Sequence, residues 1–154
     1  MASVYLRTCD ILNANLQCRL SRRHSRFHRA TDSQAEMKTI LIVDESPEIR
    51  AALRAALEMH GYTVLEASYL MGVEAMATCN SDVRAVILDE NVPWGLGQSA
   101  RSSLPLAVYL SSHKVKIVYH SADPYLSHQA REFGICVVEK GSGIQALLEA
   151  INEA

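Results

Sequence analysis

One pattern repeats along most of this chain: a short, almost continuously apolar run, then a segment whose apolar residues return every three or four positions. TILIV at 39–43, AVIL at 85–88 and VKIV at 115–118 are such runs, and strands read this way when both faces of their sheet are covered. The pattern predicts strands at 39–43, 62–67, 84–89, 115–120 and 135–139. The first helix is expected over 47–60, with Ser46 as its N-cap, Pro47 in its first turn and Gly61 as its left-handed stop. Its stripe is Ile49, Leu53, Ala56 and Leu57. A second helix is expected at about 69–78. The third is interrupted by Pro105, so it begins either near Gln98 with a break or at about Leu104. Asp123 and Pro124 open a fourth helix ending at Gly134, and Ile144, Leu147, Leu148 and Ile151 mark the fifth. Five strand-helix pairs make an α/β domain, a doubly wound five-stranded parallel sheet with helices on both faces.

Charge divides the chain at Met37. Residues 1–36 hold six Arg against three acids, net +3, whereas residues 37–154 hold nine Lys and Arg against fourteen acids, net −5. The acidic domain is a poor candidate for coating nucleic acid, which needs a positive face. Residues 1–36 lack a sustained apolar period and read as a disordered basic leader, or as upstream sequence from a start misplaced before Met37. An organellar transit peptide or a basic arm touching nucleic acid are the other readings. No run approaches the eighteen or so apolar residues that span a bilayer. Cys9, Cys18, Cys79 and Cys136 show no metal-ligand spacing and read as reduced thiols of an intracellular protein.

Ligands of an open parallel sheet bind outside the carboxyl ends of its strands. Asp44 and Glu45 follow the first strand; Asp89, Glu90 and Asn91 stand at the end of the third; Ser121 and Ala122 close the fourth; Lys140 follows the fifth. Three carboxylates, a hydroxyl and an ammonium are therefore expected around one cavity. Anions so close repel unless a cation sits among them. Mg²⁺, which keeps several waters and takes one or two carboxylates, suits a shallow site of this kind.

These residues, in the order ILIVDES, AVILDENVP, IVYHSAD and VVEK, resemble the receiver domain of response regulators, the CheY-like phosphoacceptor module of two-component signalling, from Lys38 to the C-terminus. The resemblance implies a flavodoxin-like, CheY-like three-layer sandwich in which Asp89 accepts the phosphoryl group. Asp44 and Glu45 would hold Mg²⁺, directly or through water, together with Asp89, and Asn91 would offer its backbone carbonyl. Ser121 would bond the arriving group and Lys140 would pair with its charge. It implies a cytoplasmic, single-domain response regulator served by a histidine kinase or phosphotransfer protein, acting on a downstream protein target and catalysing only transfer to and from its own aspartate. The surface of the fourth helix, fifth strand and fifth helix would be what partners read. Gly141 stands where the family usually has proline, and Val137 where it has an aromatic residue. The alternative is a receiver-like interaction module that is not phosphorylated. A phosphatase of the haloacid-dehalogenase type needs a second aspartate where this chain has Asn91. His120 reads as a plain surface or packing residue, and Gly95 and Gly97 form no phosphate-binding fingerprint.

Overall fold

In the computed structural model of the protein, residues 38–153 are described; the expectations for residues 1–36 lie outside them. The strands are β1 (Thr39–Val43), β2 (Thr63–Ala67), β3 (Val83–Asp89), β4 (Asn91–Pro93), β5 (Ala100–Ser102), β6 (Ile117–Ser121) and β7 (Cys136–Glu139). The helices are α1 (Pro47–Met59), α2 (Val73–Cys79), α3 (Leu104–Ser112), α4 (Pro124–Glu132) and α5 (Ile144–Asn152). Five strands form a parallel sheet in the order β2-β1-β3-β6-β7, and β4 and β5 form a separate antiparallel hairpin.

Side chains alternate across a strand, and β1 sends its residues into two cores accordingly. Leu41 and Val43 join Val86, Leu88 and Tyr119 under Val73 of α2, Leu110 of α3 and Ala130 of α4. Ile40 and Ile42 join Ile87, Val118 and Val138 against Leu57 of α1 and Leu147, Leu148 and Ile151 of α5. The sheet is thus the middle of three layers, and its central strand β1 is buried along its whole length because neither face meets water.

Helix ends fall where local chemistry places them. Ser46 Oγ accepts from Ile49 N at 3.3 Å, Pro47 occupies the first turn, and Gly61 takes φ +81 beyond the last turn. Asp123 Oδ1 accepts from Tyr125 N at 2.8 Å and Leu126 N at 3.1 Å at the start of α4. Ser46→Ala removes the side-chain acceptor of Ile49 N at the head of α1 and is expected to cost about 1 kcal/mol in urea unfolding, with Ser46→Asp restoring most of it.

Two elements differ from expectation. The helix expected from about 69 begins at Val73, because the N–H groups of Leu70 and Met71 donate at 2.9 Å to the carbonyls of Pro93 and Trp94 and are held away from a helical turn. The hairpin itself was not anticipated. Its strands are three residues each, too short for a period to register, and the WGLGQ segment lies in the loop between them. Of the two starts for the third helix, the later is correct: Pro105 sits in the first turn of α3, where a missing N–H costs nothing.

Candidate phosphoacceptor site

Strand register assembles the rim. Val43 pairs with Leu88, which sets Asp44 beside Asp89 at the next step. Asp89 pairs with His120, and Ser121 with Glu139, so Glu90 lies alongside the Ser121–Ala122 end of β6 and Lys140 follows directly beyond. Lys140 N donates to Ser121 O at 2.9 Å, tying the lysine loop to β6.

Asp89 is only 5% exposed, and the Lys140 ammonium lies 2.6 Å from its Oδ1. Burial pushes the Asp89 carboxyl up, and the adjacent Glu90 carboxyl and the Asp44 charge push it further; Lys140 opposes them, leaving it at about 7. Burial alone would lower the Lys140 ammonium, but the hydrogen bond and charge of Asp89, with Glu90 and Asp44 behind, raise it. Burial also works to raise Glu90, yet hydrogen bonds from Asp89, the backbone and Ala122 outweigh it and hold its carboxyl down. The proton of this pair therefore belongs on Asp89.

Asp44 is 2% exposed; its Oδ1 accepts from Ser46 N at 2.8 Å, while its Oδ2 is buried without a hydrogen-bond partner. An orphaned carboxylate oxygen beside a second carboxylate is what a hard cation satisfies. The carbonyl of Asn91 would be the third donor. Ser103 N donates to Glu90 O, so bonded pairs of the hairpin alternate past Asn91. Pro93 O, two residues on, serves Leu70 N outside the hairpin. Asn91 O lies on that same outer edge of β4. Two carboxylates and one carbonyl fit an ion that keeps several waters.

The Glu45 side chain is exposed and makes no hydrogen bond or ion pair with another described residue, and no cluster of three acidic, His or Cys side chains among the described residues is arranged to hold a metal. The turn after β1 is clamped by Arg50, whose Nη1 donates to Asp44 O at 2.6 Å and Glu45 O at 3.1 Å. The third carboxylate near Lys140 is Glu90: Lys140 Nζ lies 3.3 Å from its Oε2, and Ala122 N donates to its Oε1 at 3.3 Å.

Ser121 is fully buried at the end of β6, but its hydroxyl does not reach Asp89. It donates to Asp123 O at 3.2 Å and accepts from Asp123 N at 3.0 Å. The side chain of Asn91 is exposed. His120 is buried, and desolvation with the Lys140 charge lowers its pKa, so it is a neutral packing residue. Beneath the rim, Ser103 Oγ donates to Asp89 O at 2.5 Å and the Tyr119 hydroxyl to Glu90 O at 3.4 Å. These buried hydroxyls fix the backbone that presents the two acids. No peptide bond among the described residues is cis, in keeping with Gly141 after Lys140.

Neither a protein-family model nor a curated protein sequence matches the chain. Solved structures do. A response regulator of Burkholderia pseudomallei, solved with a phosphorylated aspartic acid, calcium ion and citrate, is 20% identical with a TM-score of 0.62, over 75% of this chain and 66% of that one. The Vibrio cholerae chemotaxis protein CheY4 is 20% identical with a TM-score of 0.61, over 75% of this chain and 96% of that one. A response regulator receiver domain protein of Clostridium thermocellum is 22% identical with a TM-score of 0.61, over 75% and 91%. With its five-stranded order and flanking helices, the described chain has the CheY-like fold of response-regulator receiver domains.

Proposed function

We propose that the chain is a response-regulator receiver whose Asp89 takes a phosphoryl group from a histidine kinase or phosphotransfer protein, and which signals in the cytoplasm by contact with a downstream protein. One observation supports this above the others: a buried aspartate at a sheet edge, flanked by a second buried carboxylate and contacted by a lysine at 2.6 Å. In the transfer, an Asp89 oxygen attacks phosphorus, the P–N bond of the donor's phosphohistidine breaks, and the leaving imidazole nitrogen retains the bond's electron pair and takes a proton. Asp44, Asp89 and the Asn91 carbonyl would hold Mg²⁺, whose charge offsets that of the phosphoryl oxygens. Lys140 supplies a second positive charge on the other side of Asp89. Phosphorylation adds roughly −1.5 to −2 of charge. Ser121 would then exchange its bond to Asp123 O for a phosphoryl oxygen and carry the start of α4 with it. No helix among the described residues is long and apolar enough to cross a membrane.

Beryllofluoride with Mg²⁺ tests this reading without a kinase. Backbone amide resonances of Asp89, Asn91, Ser121 and Lys140 are expected to move together on its addition. Spectra left unchanged at saturating Mg²⁺ and beryllofluoride would sink the phosphoacceptor reading and leave a receiver-shaped interaction module.

A further inference from the structure

An anion that joins Asp89 needs donors, and the rim has few. The Ala122 N–H and the Lys140 ammonium stand at this rim, and both are already engaged by one side chain. Glu90 is 8% exposed, takes Ala122 N on Oε1 at 3.3 Å and faces Lys140 Nζ with Oε2 at 3.3 Å. A buried carboxylate is held this way only if its partners outweigh its lost hydration.

From this geometry we infer that Glu90 is an internal stand-in for the phosphoryl group, a carboxylate seated on the Ala122 amide and the Lys140 ammonium that an arriving phosphoryl must displace. The inference rests on the phosphoacceptor reading of Asp89 and adds to it a built-in competitor. Two consequences follow from the competition. The unmodified domain keeps the Ser121–Ala122 loop and Lys140 drawn toward the acids, so the charge rearrangement on phosphorylation is smaller than in a site whose seat is open. The site also discriminates among donors, because only an anion that pairs with Lys140 and Ala122 better than Glu90 does can enter. The backbone supports the seat: Ser103 N donates to Glu90 O at 2.9 Å and the Tyr119 hydroxyl donates to the same carbonyl, so the hairpin holds the main chain of Glu90 while its side chain can rotate off the seat.

The experiment compares wild type with Glu90→Ala, which empties the seat, and Glu90→Gln, which keeps its shape and removes its charge. Titration with beryllofluoride in Mg²⁺ is expected to show binding about tenfold tighter in Glu90→Ala, the worth of one charged hydrogen bond, with Glu90→Gln between. Before any ligand is added, the Ala122 amide resonance is expected to move in Glu90→Ala and its hydrogen exchange to quicken. An Ala122 amide that neither moves nor exchanges faster overturns the seat, whatever the phosphoryl chemistry. Equal beryllofluoride affinity in all three forms overturns the competition while leaving the phosphoacceptor reading intact. Failure of all three forms to bind overturns that reading, and this inference falls with it.

Discussion

Asp89→Asn is expected to reduce Mg²⁺-dependent labelling by a small phosphodonor such as acetyl phosphate to background, while the variant stays folded. The amide cannot form the acyl phosphate, and neither neighbouring acid can replace it. Asp44 is committed to Ser46 N, and Glu90 to Ala122 N and Lys140. Stability should move the other way. Because the folded carboxyl titrates at about 7, raised from 3.8, the native state holds a proton between roughly pH 4 and pH 7 that the unfolded chain has lost. That difference costs stability progressively across this window and fully above it. Asparagine escapes the cost, so the variant is expected to be more stable than wild type at pH 8, by on the order of 2 kcal/mol in urea unfolding, with the gap closing toward pH 4. Labelling that persists in this variant would show that another residue is the acceptor. A gap that is the same at pH 4 and pH 8 would show that Asp89 is not the titrating group.

The elements legible in the sequence were those whose signal is local and whose surroundings are uniform. β1 is a run buried on both faces, and it lies over Thr39–Val43 as read. The ends of α1 and α4 follow from Ser46, Pro47, Asp123 and Pro124, because a cap is a contact within three residues of chain. The end of β3 at Asp89 and the placing of Lys140 after β7 come from the same punctuation. What could not be read depends on contacts between distant segments. Glu90 looks like any loop acid beside a turn. It is buried only because the hairpin folds back and the end of β6 arrives beside it, with Ser103 thirteen residues on and Ala122 thirty-two residues on. The hairpin also sets the start of α2 through Leu70 and Met71. The acidic pair after β1 does not say which member is buried: side chains of consecutive residues diverge, and Asp44 is enclosed while Glu45 is exposed.

Lys140→Met keeps the aliphatic stem and deletes the charge that three buried or half-buried acids share, and is expected to destabilise the fold more at pH 8 than at pH 5. At pH 8 Asp89 and Glu90 are both ionised in wild type, each within 3.3 Å of the ammonium. Without it they repel at close range with no cation between them. Breaking a fully buried pair costs about 3–5 kcal/mol, and the lysine side chain is 25% exposed, so about 2–3 kcal/mol is expected here. At pH 5 Asp89 is already protonated in the native state, since its pKa lies at about 7; only the contact with Glu90 is then lost, and the cost falls to about 1 kcal/mol. Lys140 itself stays charged throughout this comparison. Its pKa is raised above the ordinary 10.5, so its contribution is complete below that value and is lost only as the solution becomes more alkaline still. The contrast between the two pH values therefore reports Asp89. Urea midpoints measured at both, for wild type and variant, give the difference directly. Mg²⁺ added at pH 8 is expected to recover part of the loss in Lys140→Met, since a divalent ion between Asp44 and Asp89 supplies the missing positive charge from the other side. An equal cost at pH 5 and pH 8, unaffected by Mg²⁺, would mean that Lys140 packs against the rim without compensating its charge, and the electrostatic account of the site would have to be given up.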